Sequence, residues 1–310
     1  MSKKFLTYEE QLEYLEVQKG LLISDRGDAL RTLERTSYFF VFGGYKHPFR
    51  NPSTGRYREG VTFDEIIALY DYDECLRLLI LKYILHIERH IKALYSYCFS
   101  ERFGNEQQAY LQPEHYNYCE QNKRLIDNLI RNFRNDVEKP SDYAYIRHYQ
   151  EKHHNVPLWV LIHSISIGTT AKLYHVAHFS IQSRISRKFS GVNEKQLGQF
   201  LNVLNKFRNV CAHNEQLFAH QADTEIPDMP LHRQLQLPQK GSQYLQGKHD
   251  LFAVLITFYY LLPGKEFRAF LRELNTLIQD SLSGFPHLPY EELLKQMGFP
   301  LNWYEFFTED

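Results

Sequence analysis

The chain has 310 residues, 43% of them hydrophobic and 15% aromatic, which is enough apolar material for one large core or two smaller ones and excludes a chain that stays disordered. Lys and Arg (36) nearly cancel Asp and Glu (37), so no global positive field draws in nucleic acid, and any contact with a polyanion has to come from a local patch. Four cysteines, Cys75, Cys98, Cys119 and Cys211, form no CxxC pair; they are too sparse for a disulfide scaffold or a zinc ribbon and suit a reducing cytosol.

The opening stretch, MSKKFLTYEEQLEYL, is charged and amphipathic and lacks the apolar run of a secretory signal, so the expected location is cytoplasmic. Through the first two thirds of the chain glycine and proline are scarce and apolar residues recur at three-to-four spacing, which predicts mainly helices. Thr62 and Glu65 have capping-box spacing and mark the start of a long helix with an apolar stripe of Leu76, Leu79, Ile80, Tyr83, Ile84, Ile87, Ile91 and Leu94. Pro157 suits the first position of a further helix running from Leu158 to Phe179, with Gly168 bending it or admitting a close neighbour. Asn193 caps a helix beginning at Glu194, with Gln196 as its box partner. Residues 215–250, rich in Gln, His and Pro, read as a long irregular excursion. The apolar run Leu251 to Leu262 stops at Pro263 and is shorter than the roughly 20 residues a bilayer requires, so it reads as a buried core helix rather than a membrane span. Segments near 266–283 and 290–298 close the chain as short helices.

The helix starting at Glu194 ends in Arg208-Asn209-Val210-Cys211-Ala212-His213. Its stripe is Leu197, Phe200, Leu201, Leu204, Phe207 and Cys211, which puts Arg208 on the apolar side and His213 roughly opposite. A guanidinium on a buried face needs a partner, a groove or an anion supplied by another molecule. Cleaving RNA without a metal requires a base for the ribose 2′-OH, an acid for the leaving 5′ oxygen, and positive charge for the phosphorane. Histidine suits the proton transfers, and arginine binds two phosphate oxygens at once. Asn209 is placed to orient the histidine or to donate to phosphate. The same spacing also fits a helix-terminal cation with a surface histidine beside it. Cys211 continues the stripe and reads as a small core residue rather than a nucleophile.

Four blocks of sequence carry a resemblance. RNVCAHNEQLF (208–218) resembles the RNxxxH signature of HEPN-domain ribonucleases. SYFFVFGGYKHPF (37–49), FDEIIALYDYDECLRLLILKYILHIERHIK (63–92) and PLWVLIHSISIGTTAKL (157–173) are similar to blocks of the Abi-like (AbiD/AbiF) abortive-infection family. The resemblance spans roughly residues 30–220. It implies an all-α, multi-helix HEPN-type bundle with extra N- and C-terminal helices. The implied organisation is a single unit over 1–310: N-terminal helices in 1–60, the motif-bearing core in 61–218, and the excursion and final helices in 219–310. It implies a metal-independent endoribonuclease or toxin of phage defence, without cofactor. RNA would be cut by 2′-OH transesterification at a composite site shared by two copies, leaving a 2′,3′-cyclic phosphate. Arg208, Asn209 and His213 would be catalytic, with Asn214 in support. A small regulatory RNA or an antitoxin is an implied further partner. The alternative is a catalytically idle relative that binds RNA or a protein partner as sensor, scaffold or antitoxin.

Other residues divide between two readings. Glu88, at the edge of its stripe, is placed either to pair with Arg208 or its copy, or to pair with Lys92 on its own helix. His86 and His90 flank it, but the order is not HExxH and no third ligand is evident; His90 falls on the apolar stripe and reads as a core histidine. Tyr45 and Lys46 suit base stacking and a phosphate contact, or else a packed turn leading into Pro48. Arg184, Arg187 and Lys188, and the stretch Arg147 to His154, offer local positive charge for RNA or are solvated helix faces.

Overall fold

The structure is a computed structural model and describes residues 5–308; the first four residues of the charged N-terminal stretch and the last two of the chain lie outside the described residues. The chain is all-α. First come α1 (Tyr8–Glu13), continued by a π-helical turn over Tyr14–Gln18, then α2 (Arg26–Thr36) and α3 (Tyr38–Gly44). The long α4 (Phe63–Phe103) follows, then α5 (Glu120–Glu138), α6 (Ala144–His153), α7 (Leu158–Leu161), α8 (Ile167–Val176), α9 (Phe179–Ser186) and α10 (Glu194–Ala212). After α11 (Pro230–Gln234) come the two-residue strands β1 (Gln239–Lys240) and β2 (Gln243–Tyr244), and then α12 (Leu251–Leu261), α13 (Gly264–Ser281), α14 (Tyr290–Met297) and α15 (Trp303–Thr308).

The fold is organised around α4. Its 41 residues span about 60 Å at 1.5 Å per residue, and α3, α7, α8, α9, α10 and α13 all pack against it. The expected capping box starts it: the Thr62 hydroxyl accepts from the Glu65 N–H, and the Glu65 carboxylate accepts from the Thr62 N–H. The same carboxylate also accepts the N–H of His287, which ties the C-terminal region to the start of the helix. Of the expected stripe, Leu76, Ile80, Tyr83, Ile84, Ile87 and Ile91 are buried, each aliphatic member contributing about 1.5–3 kcal/mol, while Leu79 and Leu94 are half-buried at its edges. Asn193 and Gln196 form the reciprocal cap that begins α10.

The stretch expected as one helix from Leu158 to Phe179 is instead two, α7 and α8, with α9 beginning only at Phe179. Pro157 is the N-cap rather than the first helical residue, α7 stops after four residues, and Ser166 starts α8 afresh by accepting the Thr169 N–H. Gly168 serves close approach: a Cβ there would lie 2.7 Å from the Asn205 Oδ1 of α10. The excursion 215–250 contains α11 and a hairpin pairing Gln239 with Tyr244 and Lys240 with Gln243, neither of which was expected. It is packed rather than loose, with Ile226, Met229, Leu231, Leu235 and Leu237 buried. His232 is buried within it and ties its two ends together: Nδ1 accepts the Met229 N–H at 3.0 Å, and Nε2 lies 2.8 Å from the Gly247 carbonyl. Among the described residues no helix is long and apolar enough to cross a membrane.

Candidate active site

The end of α10 is a Schellman-type stop. Ala212 is the last helical residue, His213 is the C-cap, and Asn214 takes the left-handed conformation at φ 58°. The Glu215 N–H reaches back to the Val210 carbonyl at 3.1 Å, closing the loop that satisfies the helix end. The sequence RNVCAHN therefore leaves the helix at a fixed angle, with asparagine at the position that tolerates positive φ.

Arg208, Asn209 and His213 sit on the outer side of this helix end. Asn209 and His213 are exposed and Arg208 is half-buried. Arg208 was expected on the buried face, but Val203 and Val210 are buried too, and they shift the centre of that face to about 70° from Arg208 at 100° per residue. The guanidinium thus lies on a flank. Its one hydrogen bond among the described residues is a long one, Nη1 to the Asn209 Oδ1 at 3.5 Å, and its Nε is buried with no partner. The Asn209 side chain therefore leans on the arginine, while its backbone carbonyl accepts the His213 N–H at 2.9 Å. Arg208 and His213 are five residues apart on a regular helix, so their side chains diverge by about 140°. The helix end does not unwind to bring them together.

The segment just beyond is anchored by residues that the sequence reading missed. Asp73, fully buried on α4, accepts the N–H groups of Leu217 at 2.8 Å and Phe218 at 2.7 Å, the Tyr45 hydroxyl at 2.7 Å and the Arg77 Nη1 at 2.8 Å. Arg77 also donates to the Glu215 carbonyl at 3.3 Å. Burial pushes the Asp73 carboxyl above the usual carboxylate range, opposed by these donors and by the Arg77 charge. The available signal was an acid and an arginine four residues apart inside an otherwise apolar helix face. Asn214 adds a bond of 3.4 Å to the Tyr70 hydroxyl.

Several expectations need correction. Tyr45 is in the core, 2% exposed and stacked on Phe218, so it is not a platform for a base; its hydroxyl is needed by Asp73. Lys46, next to it, is half-exposed. Glu88 does not pair with Arg208. It binds Lys92 at 2.6 Å, both nearly buried, and Lys92 also donates to the Ile165 carbonyl at 2.5 Å, so this pair is internal rather than a surface one. His90 is exposed, with its ring edge-on to Phe189 at 5.3 Å, and His86 lies 2.7 Å from Glu266. Arg184 pairs with Glu101, whereas Arg187 and Lys188 are exposed at the end of α9, and among the described residues no hydrogen bond or ion pair joins any of the three to the motif. Cys211 is buried, and burial pushes its thiol up to about 12, so it stays protonated at neutral pH and is no nucleophile. Among the described residues no group of three or more His, Cys, Asp or Glu side chains is placed to hold a metal ion.

A family model described as Abi-like protein matches residues 31–219, more than half of the chain and including the whole of α10. No curated protein and no solved structure matches the chain.

Proposed function

We propose, from the premise that the chain belongs to the Abi-like protein family, that it is a metal-independent endoribonuclease of the HEPN type acting in phage defence. The observation that carries this reading is Arg208. A half-buried guanidinium with no carboxylate partner among the described residues, and with a buried Nε left unpaired there, is a cation kept for an anion from outside the fold. A phosphodiester satisfies it, and Asn209 steadies it from the side.

His213 supplies the proton transfer. Its exposed imidazole can take the 2′-OH proton as the oxygen attacks phosphorus. The bond to the 5′ oxygen then breaks, that oxygen receives a proton, and a 2′,3′-cyclic phosphate remains. Because Arg208 and His213 diverge on one helix, the complete site pairs the arginine of one copy with the histidine of a second, and the active form is a homodimer. Base and acid are then the two histidines facing one phosphate. Local charge at this mouth must substitute for the positive field that the nearly neutral chain lacks.

The test is to incubate total cellular RNA with the protein in EDTA and to map the ends. Fragments with cyclic-phosphate ends made by the wild type and absent with Arg208→Ala support the reading. Equal behaviour of the two proteins, silent or active, removes it and leaves an RNA- or protein-binding role. Mixing Arg208→Ala with His213→Ala restores part of the activity if the site is shared between copies.

A further inference from the structure

Beside the candidate site lies a second feature with its own chemistry. A cleft of about 820 Å³ is walled by the start of α1, the end of α2 and the start of α3, and its lining includes Asn214, the residue after His213. The volume is that of a small-molecule or nucleotide site, about 300–1,000 Å³. Its aromatic lining is left to solvent: Phe39 is 76% exposed, Phe5 82%, Phe40 46% and Tyr8 42%. Four large apolar side chains on one rim are costly in water unless something covers them.

The backbone is bent to present them. Ser37 links α2 to α3 at φ 68°, a left-handed value uncommon for serine, and α3 starts immediately after it with Phe39 and Phe40 in its first turn. Arg35, in the last turn of α2, lines the same cleft, is exposed, and has no ion-pair partner among the described residues. Thr7 and Thr36 are polar members of the lining already bonded within the chain, the Gln11 Oε1 is without a hydrogen bond among the described residues, and Glu34 completes the lining. Exposed aromatic faces beside a free arginine are what an unpaired nucleobase and its phosphate require, because every base has a π-face and every linkage a charge. A duplex, whose bases are already stacked, gains nothing there.

We propose that this cleft docks single-stranded RNA, with bases stacked on Phe39 and Phe40 and a phosphate on Arg35, leading the strand past Asn214 to His213. The proposal rests on the RNA-cleaving reading for its direction, and it confines the substrate class to unpaired RNA. A protein surface is the competing occupant. The concave shape, the polar groups scattered among the aromatics and the continuity with Asn214 favour a strand.

The experiment measures binding of a 2′-O-methyl single-stranded oligonucleotide, which cannot be cleaved, by fluorescence anisotropy with the full chain. The expected result is a Kd raised about tenfold or more by Phe39→Ala with Phe40→Ala, retained affinity with Phe39→Trp, and little competition from a duplex of the same sequence. Both side chains are exposed, so an unchanged unfolding midpoint shows that the double variant is folded. Unchanged affinity, equal binding of duplex, or a dimer that becomes monomeric in the double variant each overturns the proposal, the last by showing a protein interface. Binding needs no cleavage, so the two readings separate. Lost affinity in the double variant with no cyclic-phosphate ends from the wild type keeps the cleft and removes the nuclease. Cleavage with undiminished binding does the reverse.

Discussion

Residues 208–213 and 215–218 are neighbours in sequence and opposites in structure. The first six leave their polar side chains outside, with Arg208 almost unpartnered and Asn209 and His213 exposed. In the second stretch the backbone is held by buried groups: Asp73 takes two of its N–H groups, and Arg77 one of its carbonyls. The second stretch is fixed by the fold, and the first carries the side chains to which we assign the chemistry. A side chain that must meet a substrate cannot also be satisfied by the fold, so its orientation has to be secured by the chain beside it. In this molecule that support is a carboxylate on the central helix.

The harshest way to break the contrast is Asp73→Ala. It removes four hydrogen bonds and strands the Arg77 charge in the core, with an expected loss of about 3–5 kcal/mol in urea denaturation. A midpoint unchanged from wild type would show that the anchor does not hold the segment.

The next concerns the excursion that follows. Burial lowers the pKa of His232, and its Nδ1 already accepts the Met229 N–H, so protonation would set donor against donor. Its folded pKa lies below its unfolded value, so its contribution is present above about pH 6.5 and is lost as pH falls, at up to about 1.4 kcal/mol per pH unit. Unfolding midpoints measured from pH 7.5 to 5.5 should fall more steeply for wild type than for His232→Gln. Equal slopes would mean that the excursion does not depend on a neutral imidazole.

Asn214 marks the boundary between the two stretches. Asn214→Ala places a Cβ-bearing, non-polar residue at φ 58° and should cost about 1 kcal/mol, whereas Asn214→Gly should be tolerated. Thermal melts of the two variants distinguish a conformational requirement from the 3.4 Å bond to Tyr70, which both of them lose. The smallest effect belongs to the motif itself: His213→Ala should move stability by no more than about 0.5 kcal/mol, as for other exposed positions.

Much of this was legible in the sequence, unevenly. Helix starts with reciprocal caps, Thr62 with Glu65 and Asn193 with Gln196, were readable because their hydrogen bonds are local. The end of α10 at His213 was readable for the same reason. Where the outcome depends on tertiary partners the reading ran out. Asp73 looks like one acid among several until Leu217, Phe218 and Tyr45 converge on it from 28 to 145 residues away. Tyr45 was open to a functional reading because a core tyrosine and a stacking tyrosine are the same residue in sequence. The break between α7 and α8 was hidden in an apolar run whose ends are set by Ser166 and by contact with α10. The aromatic cleft joins α1, α2, α3 and Asn214, so no single segment displays it.

The most direct test of the account pairs two readouts on one variant: the urea midpoint and the rate of RNA cleavage in EDTA for His213→Ala beside wild type. The account predicts an unchanged midpoint with cleavage, and its cyclic-phosphate ends, reduced at least about a hundredfold. Cleavage at the wild-type rate by a variant of wild-type stability would contradict it.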